Sequence, residues 1–185
     1  MIRTGEVAWY ATGRFYLATD QSLVDVGYFV HLQGIGGSLF VDDAIGEGSA
    51  HFTFAAQPFT ATSFANGALK LGVDAVGGFG VYLQREPCGT FDDPTSFAKG
   101  ERIATFERVS VVVGTTVGSA VTLNAFSARL VSSAPFAFHG KTYDFAELLP
   151  HGITQWGTAS PDPIAPPPAG YTTVVPFVGS AIRVG

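Results

Sequence analysis

ERIATFERVSVVV (101–113) and AVTLNAFSARLV (120–131) are two long runs, rich in β-branched and aromatic residues, with the connector GTTVGS (114–119) between them. Both alternate with period two, which reads as a long antiparallel hairpin. Setting Val113 opposite Ala120 places Val109 opposite Asn124 and Glu107 opposite Phe126. One face of the first run is then Ile103, Thr105, Glu107, Val109, Val111 and Val113, an apolar face with a single carboxylate. A carboxylate on such a face has its pKa raised unless it is paired, and a raised pKa suits acid–base chemistry near neutral pH. Glu107 and its diagonal neighbour Asn124 are therefore candidate catalytic residues, with Phe126 as a wall of the same ligand site. A second geometry competes with this one. A β-bulge near Phe106-Glu107 would turn Phe106 inward and Glu107 outward, within reach of Arg108 or Arg129.

Outward from this hairpin the same period recurs along almost the whole chain. Further strands are expected at 5–11, 13–19, 24–33, 37–41, 49–55, 59–64, 68–74, 79–84, 135–138 and 171–178, separated by Gly, Asp, Ser and Pro. Asn66-Gly67 predicts a tight hairpin turn, because both residues tolerate positive φ. His139-Gly140 predicts another, setting Phe136 opposite Tyr143. The one helical turn expected is Asp144–Leu149, closed by Pro150. Residues 157–170 read as a proline-rich arm leading to the strand 171–178, whose Pro176 favours an edge or a bulge. The expected fold is all-β: one domain spanning 1–185, an antiparallel barrel of about eight strands, with a two-sheet sandwich as the alternative.

Composition narrows the function classes. The chain has 185 residues, 46% apolar and 14% charged, with 16 Phe, which suits one sizeable core. A net charge of −5 with no basic run argues against nucleic acid and anionic membranes as partners. The single Cys88 rules out an internal disulfide and multi-cysteine zinc sites. The glycine clusters 34–37 and 77–80 lack the spacing of a phosphate-binding loop. The acidic stretch Asp42-Asp43…Glu47 lacks the ligand order of a calcium loop, so neither a metal nor a cofactor is expected. His31 and His51 alternate out of phase with their apolar neighbours and should point away from the apolar face. No apolar leader opens the chain, so a cytoplasmic protein is expected.

Two functions follow as expectations. The first is a cavity protein binding a small apolar or amphipathic molecule, extending to a cofactor-independent cyclase or isomerase that uses a buried Glu107. Tyr28, on the apolar face of its strand, and His151 and Trp156, in a lid-like loop, complete the expected ligand site with Phe126. Trp156 could equally plug one end of the core. The plan resembles that of small cyclase, isomerase and carrier barrels, the allene oxide cyclase and lipocalin-like groups among them, a likeness of plan carried by no shared motif. The second expectation is a homo-oligomeric structural or interaction protein, assembling through exposed strands such as YTTVVPFV and the C-terminal arm.

Overall fold

The computed structural model describes residues 2–58, 61–66, 69–74, 77–109, 112–117 and 120–185. In chain order its elements are strands β1 (Val7–Ala18), β2 (Leu23–Leu32), β3 (Phe52–Ala56), β4 (Ala61–Asn66), β5 (Leu69–Asp74), β6 (Gly78–Leu83), β7 (Glu101–Arg108), β8 (Val112–Val117), β9 (Ala120–Ser133), β10 (Phe136–Phe138) and β11 (Lys141–Tyr143). Helix α1 (Phe145–Leu148) and strands β12 (Ile153–Ala159) and β13 (Tyr171–Arg183) follow. Antiparallel strands run β12-β13-β1-β2-β3-β6-β7-β9, and β9 pairs back with β12. The sheet thus closes into an eight-stranded barrel. Strands β8, β5 and β4 continue from the first half of β9.

The lumen is filled mainly by rings. Trp9 stands edge-on to Phe29 and Phe106, at 5.3 and 5.7 Å between ring centres, and Phe79 stacks on Phe106 at 5.2 Å. Room for these rings comes partly from Gly13 and Gly27, which face each other on β1 and β2. A Cβ on Gly13 would lie 2.9 Å from Phe177, and one on Gly27 would lie 2.7 Å from Phe54. One end of the barrel is plugged by the β10–β11 hairpin and α1, whose Phe136, Phe138, Phe145, Leu148 and Leu149 join the core. Helix α1 is capped by Asp144, which accepts from the Ala146 amide at 2.8 Å. A second, outer cluster packs Phe91 and Phe97 of the 84–100 segment onto Tyr16, Val26 and Val174.

Several expectations hold and several shift. His139 and Gly140 both have positive φ, and Phe136 faces Tyr143. In the β4–β5 hairpin Asn66 pairs with Leu69 and Phe64 with Leu71, while Gly67 of the expected turn lies outside the described residues. Residues 157–159 are not part of an arm but end β12, and the loop after them is tied back by Ile164 N–H donating to Val174. Nor is the C-terminal strand an open edge. Strand β13 runs to Arg183, with β1 on one side and β12 on the other. Pro176 sits one residue past the end of the β12 ladder, where its missing N–H breaks no pairing, and its carbonyl accepts from Ser160 at 2.9 Å. Among the described residues, the strand with one neighbour in this sheet's order is β4.

Candidate functional site

The phase of β7 decides what faces the lumen. Its register against β6 jumps between Val81↔Ala104 and Tyr82↔Arg102, leaving Ile103 as an extra residue, and a second irregularity follows on the β9 side. Ile103 and Ala104 are buried in succession, and Phe106 and Arg108 then point inward. The antiparallel pairing of the two runs exists, but the first run is divided between β7 and β8, and Val117 rather than Val113 meets Ala120. Together these shifts pair Glu107 with Arg129 instead of Phe126. Glu107 consequently lies on the outer face, and its carboxylate accepts from Arg129 Nη2 at 2.6 Å and Nε at 3.1 Å. The expected orientation of Glu107 is therefore corrected: the bulge turns it to solvent.

The polar group inside the barrel is a different one. Arg108, 2% exposed, reaches across the lumen to Asp25, whose side chain is 10% exposed, with Nη2 and Oδ1 3.3 Å apart. Strands β2 and β7 are three places apart in the ring of eight, so this pair bridges the interior. The guanidinium also lies over the Phe126 ring, 5.0 Å from its centre. Asp25 comes inward because Asp25, Gly27 and Phe29 form the lumen face of β2, while Val26 and Tyr28 face the outer cluster. Nearby, Gln155 Oε1 accepts the Trp9 indole N–H at 3.1 Å. Asn124 is buried on the inner face of β9 beside Phe126. Asp25, Gln155, Trp9 and Phe126 help enclose a cavity of about 10 Å³, room for roughly one water.

Of the six sequence candidates, Asn124 and Phe126 come together in the lumen, and the other four do not. Tyr28 lies on the outer face against Phe40 and Phe91, its ring centre 6.0 and 6.3 Å from theirs, and burial, then the Glu47 carboxylate, pushes its hydroxyl pKa up. His151 is exposed in the turn after α1. Trp156 forms neither lid nor plug: β12 is a barrel strand, and Trp156 is on its outer face, 42% exposed. There it joins Tyr10, Val30, Leu123 and Val178 along a shallow apolar groove of about 560 Å³. His31 is exposed as expected, but His51 is half-buried, its Nδ1 2.9 Å from the Gln84 carbonyl and its ring against Phe138.

Asp25 and Arg108 escaped the sequence reading because each lies in a run whose other face is also apolar. The available signal was the Gly13 and Gly27 pair, since a glycine flanked by aromatic partners marks the crowded inner face. Residues 41–43 form an exposed 3₁₀ turn with positive φ at Asp42 and Asp43. Among the described residues no three His, Cys, Asp or Glu side chains gather in a way that could hold a metal ion. No described helix is long and apolar enough to cross a membrane. Comparison with protein-family models, with curated proteins and with solved structures found no match to this chain.

Proposed function

We propose that the barrel binds a small, mostly apolar molecule in its lumen, at the end away from the plug. The observation that supports this is the Asp25–Arg108 pair buried among aromatic rings. Burying two charges is costly, and replacing such a pair by apolar side chains is often neutral or stabilising. An ion pair kept inside an aromatic well fits the chemistry of ligand sites, where a few polar groups orient an apolar body. The ligand-free space holds about one water, so binding displaces ring side chains such as Phe79 and Phe126. In the enzymatic form of this reading, a cofactor-independent isomerase or cyclase, Asp25 replaces Glu107 as the carboxylate that takes the proton.

The two tryptophans make the test direct, since Trp9 lines the lumen and Trp156 the outer groove. In a Trp156→Phe protein one indole N–H signal remains, that of Trp9. Titration with toluene is expected to shift it saturably and to raise Tm. Toluene that leaves the Trp9 signal unmoved up to its solubility limit sinks the reading.

A second reading, self-association, is favoured by the outer groove. Tyr10, Val30, Leu123, Trp156 and Val178 are exposed together there, and among the described residues no charged one lines it, on a chain of net charge −5. Two copies meeting through this face bring no like charges together. Trp156→Lys is expected to convert an oligomer to monomer by light scattering, whereas a monomer at all concentrations removes this reading.

A further inference from the structure

The side-chain oxygen of Asn124 is a polar group that the described residues do not satisfy. The residue is 5% exposed, and its Oδ1 has no hydrogen-bond partner among the described residues. Its partners across both neighbouring strands are glycines, Gly114 on β8 and Gly157 on β12. Gly157 is paired in turn with Gly179, and Gly179 with Ala11. A Cβ on Gly157 would lie 2.9 Å from Asn124 Oδ1, so the bare backbone leaves this oxygen the space it occupies. A buried carbonyl oxygen without a donor is unfavourable, and each such group calls for an explanation. A ligand that supplies the missing donor is one.

The neighbouring groups decide what kind of donor fits. Gln155 Oε1 already accepts the Trp9 N–H, and the Asp25 carboxylate is itself an acceptor. An anionic ligand would meet that carboxylate, and an ammonium would meet the Arg108 guanidinium in a medium of low polarity. A neutral hydroxyl meets neither objection. Trp9, Phe29, Phe54, Phe79 and Phe126 line the adjoining cavity, with Asn124 two residues from Phe126 on the same buried face of β9, and such walls suit a planar ring.

Resting on the reading of the lumen as a ligand site, we propose that Asn124 is a specificity-determining residue that accepts a hydrogen bond from a neutral hydroxyl. The ligand class is then an alcohol or phenol, not a carboxylic acid or an amine. The test follows the Trp9 indole N–H of the Trp156→Phe protein during titration with phenol, anisole, benzoate and benzylamine. Phenol is expected to bind roughly tenfold more tightly than anisole, which has the ring without the donor, and more tightly than either charged probe. Asn124→Leu is expected to erase the difference between phenol and anisole. Equal binding of phenol and anisole, or a preference that survives Asn124→Leu, overturns the assignment. Toluene binding without a phenol preference sinks this inference alone, whereas no saturable shift with any probe, toluene included, sinks the lumenal site with it. Should Asn124→Leu fail to fold, Asn124→Ala takes its place, and a phenol preference that survives it likewise overturns the assignment.

Discussion

The two ends of the barrel are stabilised in opposite ways. Leu32, Leu83 and Ile103 mark the plugged end, where Phe136, Phe138 and Phe145 are driven into the core against Phe52 and Phe106. Asp25 and Arg108 lie toward the other ends of β2 and β7. This end is braced from outside instead. Phe91 and Phe97 cover Tyr16, Val26 and Val174, held by Tyr16 Oη donating to the Phe91 carbonyl at 2.9 Å and Thr53 Oγ1 donating to that of Phe97 at 2.6 Å. The segment 134–152 thus enters the barrel and 84–100 leans on its wall. The outer brace adds stability that does not depend on a fully apolar lumen, so the ring-lined interior at that end can also carry a charged pair.

The contrast can be broken at the plug first. Phe52→Ala removes a fully buried ring that touches both Phe136 and Phe138, with an expected loss of about 4 kcal/mol in denaturant unfolding. At the polar end, Asp25→Leu removes the Asp25 carboxylate from the buried Arg108 guanidinium and is expected to cost about 3 kcal/mol. The double variant Asp25→Leu/Arg108→Met sharpens the comparison. If the ion pair serves binding rather than stability, the double change should cost far less than Asp25→Leu alone, with ligand binding lost. A double variant as unstable as the single one would make the pair a structural strut and remove the difference between the two ends.

How much of this was legible in the sequence depended on bulges. Turn chemistry placed the His139-Gly140 hairpin in its true register, because a two-residue turn fixes its neighbours. Period two also found the pairing of 101–113 with 120–131, though the first run is two strands, β7 and β8. Period two alone could not place the extra residue, which the competing reading set near Phe106-Glu107 and the structure puts at Ile103. One extra residue exchanges the two faces of everything beyond it, so Phe106 turns inward and Glu107 outward to Arg129, as that reading had it. Strand β12, which closes the ring, was hidden differently. Its inner face, Ile153, Gln155, Gly157 and Ala159, is small and partly polar, and its largest side chain, Trp156, points outward. Asp25 was passed over because the outer cluster makes Val26 and Tyr28 look like core. A wall buried on both sides carries no clean alternation to read.

The smallest expected effect tests whether the outer brace holds the polar end. Tyr16 is fully buried between β1 and the 84–100 segment, and burial pushes its hydroxyl pKa up to about 12 from an ordinary 10.0. Arg14 nearby opposes the shift without cancelling it. Because the folded-state pKa lies above the unfolded one, the protonated hydroxyl contributes its full stability below about pH 10. That contribution falls as the pH rises toward about 12, since the unfolded chain releases its proton first. Tyr16→Phe removes the bond to the Phe91 carbonyl, at an expected cost of about 1 kcal/mol near neutral pH. It should also remove part of the alkaline loss, so the two stability curves converge as the pH rises. Curves that stay parallel between about pH 10 and 12 would mean that Tyr16 ionises as freely in the folded protein as in the unfolded chain. The brace would then be open to water, and the polar end would lack the outer support that distinguishes it from the plug.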